Sequence, residues 1–178
     1  MSRIRAGIDL ERLERVGPVL ERFVGEGNLL PGVQFLLWRR GEQVDFRCVG
    51  FRDRETQLAV EEDTIFRIYS MTKPLVSVAL MMLFEEGRFQ LISPASEFIP
   101  EFRKVRVFLE QDLRTGEMVT EKPKRAVTLY DLLTHTAGLT YEFMAHHHPA
   151  ARHYKEANFE RDSLSLEELV CEILRLPL

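Results

Sequence analysis

The chain is 178 residues long and carries 24 Lys and Arg against 28 Asp and Glu, a formal net charge of −4. With 45% hydrophobic and 29% charged residues it has the profile of a soluble globular protein, and its 12 Phe exclude a disordered chain. An isoelectric point near 5.8 argues against nucleic-acid binding, and the longest mainly apolar run, residues 74–84, falls well short of the roughly 20 residues that span a membrane.

The length is that of one domain, or of one domain and a fragment of another. Cys48 and Cys171 belong to no close-spaced ligand motif and read as small core residues in a reducing compartment. The N-terminal segment lacks the apolar stretch of a secretory signal and alternates charges with Ile and Leu, so the cytoplasm is the expected location.

Residues 9–25 read as an amphipathic helix. Leu10, Leu13, Val16, Leu20 and Phe23 share one face, Asp9 is the N-cap, and Gly25 and Gly27 end the pattern. Residues 31–40 read as a strand, Gly41-Glu42 as a tight turn, and residues 43–51 as a second strand. A helix followed directly by a hairpin predicts a mixed sheet with the helix on one face. In the polar segment beyond, Glu61-Glu62-Asp63 reads as a solvated turn. From Ser70 to Glu86 the pattern is helical, with Leu75, Ala79, Met82 and Leu83 repeating and Gly87 closing the element. This helix is apolar nearly all round between Leu75 and Phe84, which predicts burial at the centre of a fold. Residues 103–121 predict a second hairpin, turning at Arg114-Thr115-Gly116. Thr128 and Asp131 open a short helix ending near Thr134, with Gly138 just beyond; Ser165 and Glu168 open another that runs to about Leu174. No internal repeat, low-complexity tract or linker divides the chain. Its last residues, Leu176-Pro177-Leu178, are apolar where a native terminus is usually polar, so the chain is expected to be cut from a longer one.

The tetrad Ser70-Met71-Thr72-Lys73 carries the chemistry. At a helix start, residues i and i+3 share a face, so the Ser70 hydroxyl and the Lys73 amine can meet. A serine hydroxyl is a weak nucleophile until a base takes its proton, and a lysine amine does so only when neutral, in a desolvated site or near positive charge. The apolar helix behind and its positive N-terminal dipole are expected to supply both conditions, and its free N–H groups suit a developing oxyanion. The bland alternative makes Ser70 an N-cap and Lys73 a surface residue. Against it, Glu or Gln is preferred at the third helical position, and a lysine there breaks a local stability rule, as functional residues often do. Pro74 fits only in the first turn of a helix starting at or near Ser70.

The run Phe66-Arg-Ile-Tyr-Ser-Met-Thr-Lys-Pro74, followed by an apolar helix and Glu85-Glu-Gly-Arg88, resembles the nucleophile region of β-lactamase-related serine hydrolases. That family includes class C β-lactamases, D-alanyl-D-alanine carboxypeptidases and esterases of the same fold. Val127-Thr-Leu-Tyr-Asp-Leu-Leu-Thr-His-Thr-Ala-Gly-Leu-Thr-Tyr141 resembles its second recognisable stretch, and the similarity runs from about Leu10 to the end of the chain. The resemblance implies Ser70 as the acylated nucleophile, Lys73 as its proton-transfer partner, and the Ser70 N–H as half of the oxyanion hole. It implies a structural border of the site over residues 134–141, with His135 packed and hydrogen-bonded rather than acting as a base.

The family's tyrosine motif, Y-x-N, is absent. Tyr69, Tyr130, Tyr141 and Tyr154 are the four tyrosines, and the nearest Asn to Tyr154 is Asn158. Arg114-Thr115-Gly116 imitates the family's later K-T-G strand but precedes the expected tyrosine, so it reads as a hairpin turn. His146-His147-His148 are consecutive and do not converge on one ion from a regular element, His153 adds little, and a solvated loop is expected, with no metal.

The sequence therefore predicts an α+β fold of the serine β-lactamase-like type, incomplete, with an antiparallel sheet and a helical layer. Residues 1–178 would be the N-terminal part of a single domain. The expected activity is hydrolysis of a small ester, or of an amide or β-lactam, through acyl-Ser70 with Lys73 moving the proton. No metal or organic cofactor, no nucleic acid and no membrane is expected to take part. The competing expectation is a truncated, non-catalytic chain that self-associates through an open sheet edge and an uncovered apolar face, or needs a complementing partner. A sensor that is acylated but not deacylated is a third.

Overall fold

The computed structural model describes residues 4–25, 29–112, 114–146, 148–157 and 163–178. The chain divides between Tyr69 and Ser70 into two compact units.

In the first unit a short hairpin, β1 (Ile4–Arg5) and β2 (Ile8–Asp9), leads into the expected cap. The Asp9 carboxylate accepts from the backbone N–H of Glu11 at 3.0 Å and of Arg12 at 3.3 Å. The single helix expected over residues 9–25 is instead two, α1 (Leu10–Leu13) and α2 (Val16–Val24). Pro18 explains the break. In a continuous helix its ring would collide with the Glu14 carbonyl and it has no N–H to donate there, so the helix restarts with Pro18 in its first turn. Gly25 ends α2, while Gly27 lies outside the described residues.

The predicted hairpin follows as β3 (Gly32–Arg39) and β4 (Glu42–Asp53). Its turn falls one residue earlier than expected, at Arg40 and Gly41, whose φ values of 51° and 79° are both left-handed. That pairing matches the natural twist of the two strands. A third strand that the sequence reading missed, β5 (Leu58–Ala59), pairs with β4, and the order β3-β4-β5 is antiparallel throughout. The expected mixed sheet is thus corrected, because connections this short join neighbouring strands only antiparallel. Gly50, opposite Gly32, has φ 81°, and a Cβ on it would meet Val24 Cγ1 at 2.4 Å. Bare backbone there lets the end of α2 close onto the sheet. Arg47 ties the same layers together, pairing with Asp45 at 2.7 Å and with Glu14 at 3.4 Å. Glu61, Glu62 and Asp63 form the expected exposed turn, closed by the Thr64 N–H donating to the Glu61 carbonyl at 3.1 Å.

The second unit carries four α-helices and one hairpin among the described residues. Its first helix, α3 (Thr72–Glu85), starts two residues later than predicted because Tyr69–Met71 forms a 3-10 turn; Pro74 lies in its first turn and Gly87, φ 71°, follows its end. Leu80 and Phe84 pack against a core that includes Phe89, Phe102, Val105, Val127, Leu129 and Leu174. On the opposite side Leu75, Val78 and Met82 are exposed by 60% or more, and no residue of α3 is buried. The expected burial of this helix is corrected: an all-round apolar surface needs two covering faces, and the described residues bury only one.

The second hairpin is β6 (Val107–Gln111) and β7 (Met118–Glu121). Asp112 shapes its turn by accepting from the N–H of Arg114 at 2.7 Å and of Thr115 at 3.1 Å, and Gly116 has φ 76°, so this triplet is a turn as expected. α4 (Leu129–Leu133) begins at the predicted Thr128–Asp131 capping box. Its N-terminus hangs from residues 91–95: the Tyr130 N–H donates to the Leu91 carbonyl and the Ala95 N–H to the Val127 carbonyl, both at 2.8 Å. α5 (Pro149–Glu156) was not foreseen; Pro149 opens it, and Ala150, Ala151 and Tyr154 bury one side. α6 (Leu166–Ile173) starts at the predicted Ser165–Glu168 box. The chain then returns to β6, where the Leu178 N–H donates to the Arg106 carbonyl at 2.8 Å and its own carbonyl accepts from the Phe108 N–H at 3.1 Å.

Candidate active site

Ser70 sits in the 3-10 turn that feeds α3, just ahead of the first helical N–H groups, which have no acceptor within the helix. The backbone before it is strained: Tyr69 has φ 44°, a left-handed value that non-glycine residues rarely adopt and that costs on the order of 1 kcal/mol. Ser70 is not the helix cap. That position belongs to Met71, which makes no capping bond, so the bland reading of the serine fails. Lys73, one helical turn on, reaches back and its Nζ donates to Ser70 Oγ at 3.1 Å. The structure thus brings together the two residues that the spacing singled out. Both side chains are exposed, so the desolvation expected from the apolar helix is not supplied by the described residues.

The second stretch borders this pair. Lys73 Nζ lies over the Tyr141 ring, 6.0 Å from its centre, and Tyr141 stacks on Phe143 with ring centres 4.9 Å apart and an interplanar angle of 18°. The sequence reading put Tyr141 at a structural border and did not foresee this contact. No local pattern carries it, because the two residues are far apart in the chain and meet only through the packing between them.

The segment that leads to Tyr141 is organised by Asp131, a buried carboxylate. It accepts two bonds from Arg125, at 2.5 and 2.8 Å, and two from Thr128, the N–H at 2.8 Å and the hydroxyl at 2.7 Å. The Arg125 guanidinium, with the Thr128 N–H second, holds the Asp131 carboxyl well below the usual carboxylate range. From the end of α4, the Thr136 N–H donates to the Asp131 carbonyl at 2.8 Å, and the Thr134 hydroxyl donates to that of Tyr130 at the same distance. Gly138 then needs both its φ of 89° and its missing side chain, since a Cβ there would meet Leu178 Cβ at 2.9 Å. These contacts carry the chain toward Tyr141.

Other candidates fall elsewhere. His135 was expected to be packed and hydrogen-bonded, and it is instead exposed with φ 58°, turning the chain at the end of α4; the correction has a tertiary cause, since no described residue covers its side chain. His146 and His148 are exposed, and His147 lies outside the described residues, as does Asn158. Among the described residues no group of three His, Cys, Asp or Glu side chains is placed to hold a metal ion. Tyr154 is buried, its hydroxyl donating to the Pro177 carbonyl at 3.1 Å, and burial pushes its pKa upward. It is a packing tyrosine. Among the described residues no helix is long and apolar enough to cross a membrane.

Comparison with known proteins places the chain in a family. The family model for Beta-lactamase matches residues 20–178. Protein Rv1367c of Mycobacterium tuberculosis is 37% identical over 139 residues, which cover 78% of this chain and 34% of that protein. Esterase EstB of Burkholderia gladioli is 33% identical over 127 residues, 71% of this chain and 29% of the esterase. Among solved structures, EstCE1, described as a hydrolase with promiscuous acyltransferase activity, superposes with a TM-score of 0.70 at 26% identity, over 93% of this chain and 40% of its own. The chain therefore spans about a third of the length of these curated relatives. Its fold is the serine β-lactamase-like fold in part, as the sequence predicted, and the chain belongs to the Beta-lactamase family.

Proposed function

We propose that the protein acts in hydrolysis or transfer of an acyl group from a small ester or amide, through a covalent acyl-Ser70 intermediate with Lys73 as proton carrier. The observation that carries this reading is the 3.1 Å contact between Lys73 Nζ and Ser70 Oγ at the start of α3. Supporting it are the family relationship, an esterase among the relatives and a hydrolase with acyltransferase activity among the structures.

In the proposed first half-reaction Ser70 Oγ attacks the carbonyl carbon while its proton passes to neutral Lys73 Nζ. The Ser70 N–H, at the helix start, donates to the oxyanion of the tetrahedral intermediate. The bond to the leaving group then breaks, and Lys73 returns the proton to the departing oxygen or nitrogen. In the second half, water or an alcohol attacks acyl-Ser70 and loses its proton to Lys73, and Ser70 recovers that proton as the acyl group departs. No step needs a metal or an organic cofactor.

Treating the 178-residue chain with a fluorophosphonate and recording its intact mass tests this. One adduct, absent from Ser70→Ala and slowed at least a hundredfold in Lys73→Met, is the expected result. A folded chain that takes up no adduct refutes it.

A second reading, a non-catalytic chain that works by association, is favoured by the exposed outer face of α3 with Leu75, Val78 and Met82. Self-association of the isolated chain is proposed through this face, and sedimentation velocity checks it. Unpaired Cys48 and Cys171 support a cytoplasmic location.

A further inference from the structure

Two exposed aromatic rings beside a nucleophile are the least explained feature of the second unit. Tyr141 and Phe143 are 47% and 67% exposed, yet they stack nearly parallel. Local backbone fixes them: Tyr141 precedes a 3-10 turn, Glu142–Met144, closed by the Met144 N–H donating to the Tyr141 carbonyl at 3.0 Å. The pair offers a flat apolar surface. Its distance from the reacting atoms is bounded by the two contacts of Lys73, 3.1 Å to Ser70 Oγ on one side and 6.0 Å to the Tyr141 ring centre on the other.

That order has a chemical consequence resting on the proposed acyl-transfer reading. Lys73 hands its proton to the oxygen of the leaving alcohol, so that oxygen must lie next to Nζ. The alcohol's carbon substituent then extends beyond Nζ, toward the rings. We propose that Tyr141 and Phe143 form the subsite for the alcohol portion of the substrate and favour esters of alcohols that carry a flat aromatic or cyclic apolar group. Stacking on an exposed ring recovers apolar area and adds an aromatic contact that a short alkyl group lacks. The bond made and broken is unchanged: the acyl carbon passes from the alcohol oxygen to Ser70 Oγ, and the alcohol leaves protonated.

The test compares benzyl acetate with ethyl acetate, which share the acyl group and have leaving alcohols of similar acidity. Acetate release and acetyl-Ser70 formation by intact mass are followed for the full chain, for Tyr141→Leu and for Phe143→Leu. The readout is the ratio of kcat/KM for the two esters within each protein, which a general loss of structure does not shift. A benzyl preference of about tenfold, falling below twofold in either variant that keeps its helical circular-dichroism signal, is expected. No preference, or one unchanged in both variants, overturns the subsite, and a fluorophosphonate adduct on Ser70 in the same preparation shows that the acyl-transfer reading survives. If Ser70 takes up neither acetyl nor fluorophosphonate, that reading fails and the subsite falls with it.

Discussion

Replacing Asp131 with Asn isolates the one buried charge among the described residues. The side chain keeps its size and one acceptor oxygen, so no cavity opens, but its charge is lost and one of its two acceptor oxygens becomes an amide donor. Breaking a fully buried ion pair costs about 3–5 kcal/mol. Here the Arg125 side chain is 67% exposed and is readily solvated once released, so the expected loss is smaller, about 2 kcal/mol, including the weakened Thr128 cap. That corresponds to a fall in Tm of about 4–8 °C. The pH dependence is the sharper readout. Because the folded-state pKa of Asp131 is depressed, its contribution is complete above the ordinary carboxylate range and is lost as pH falls below that range toward the folded value. Urea titrations followed by circular dichroism are therefore expected to give a constant gap between wild type and Asp131→Asn from pH 7 to 5. The gap should narrow from about pH 4 downward, where the unfolded carboxylate binds its proton first. A gap equally wide at pH 3 and pH 7, or one under about 0.5 kcal/mol at pH 7, would refute the argument that ionised Asp131 holds this segment.

Four further outcomes are expected. Ser165→Ala removes the hydroxyl that accepts the Glu168 N–H at 3.3 Å and should cost about 1 kcal/mol by thermal denaturation. Gly138→Ala sets a methyl group against Leu178 at a left-handed position and should cost about 2 kcal/mol, with faster hydrogen exchange at the Phe108 amide that binds the Leu178 carbonyl. Tyr154→Phe leaves the Pro177 carbonyl without its donor, for a loss of about 1 kcal/mol. The pair Val78→Gln with Met82→Gln, on the exposed side of α3, should change stability by less than about 0.5 kcal/mol while lowering the sedimentation coefficient of any self-associated species. Unaltered sedimentation would remove α3 from the association surface.

Features with local causes were legible residue by residue. The Ser165–Glu168 and Thr128–Asp131 boxes each satisfy helix N–H groups with a side chain three positions away, so the short motif carries the structure with it. The contact between Ser70 and Lys73 is equally local, a matter of one helical turn. Pro18 also announced a break between α1 and α2, but the spacing of Leu10, Leu13 and Val16 masked it by running through both pieces. In α5 the signal was faint, since buried Ala150 and Ala151 contribute little to a hydrophobic pattern and only Pro149 and Tyr154 mark it.

By itself the sequence determined the caps that open α1, α4 and α6, the two longer hairpins, the nucleophile tetrad and the family, because caps, turns and i to i+3 contacts depend on neighbours along the chain. Tertiary structure alone decided which side of α3 is covered, that His135 faces solvent, and that Tyr141 with Phe143 stands beside Lys73. An apolar side chain declares that it favours burial, whereas the surface that buries it is brought by residues far away in the chain, and no local pattern records which surface arrives.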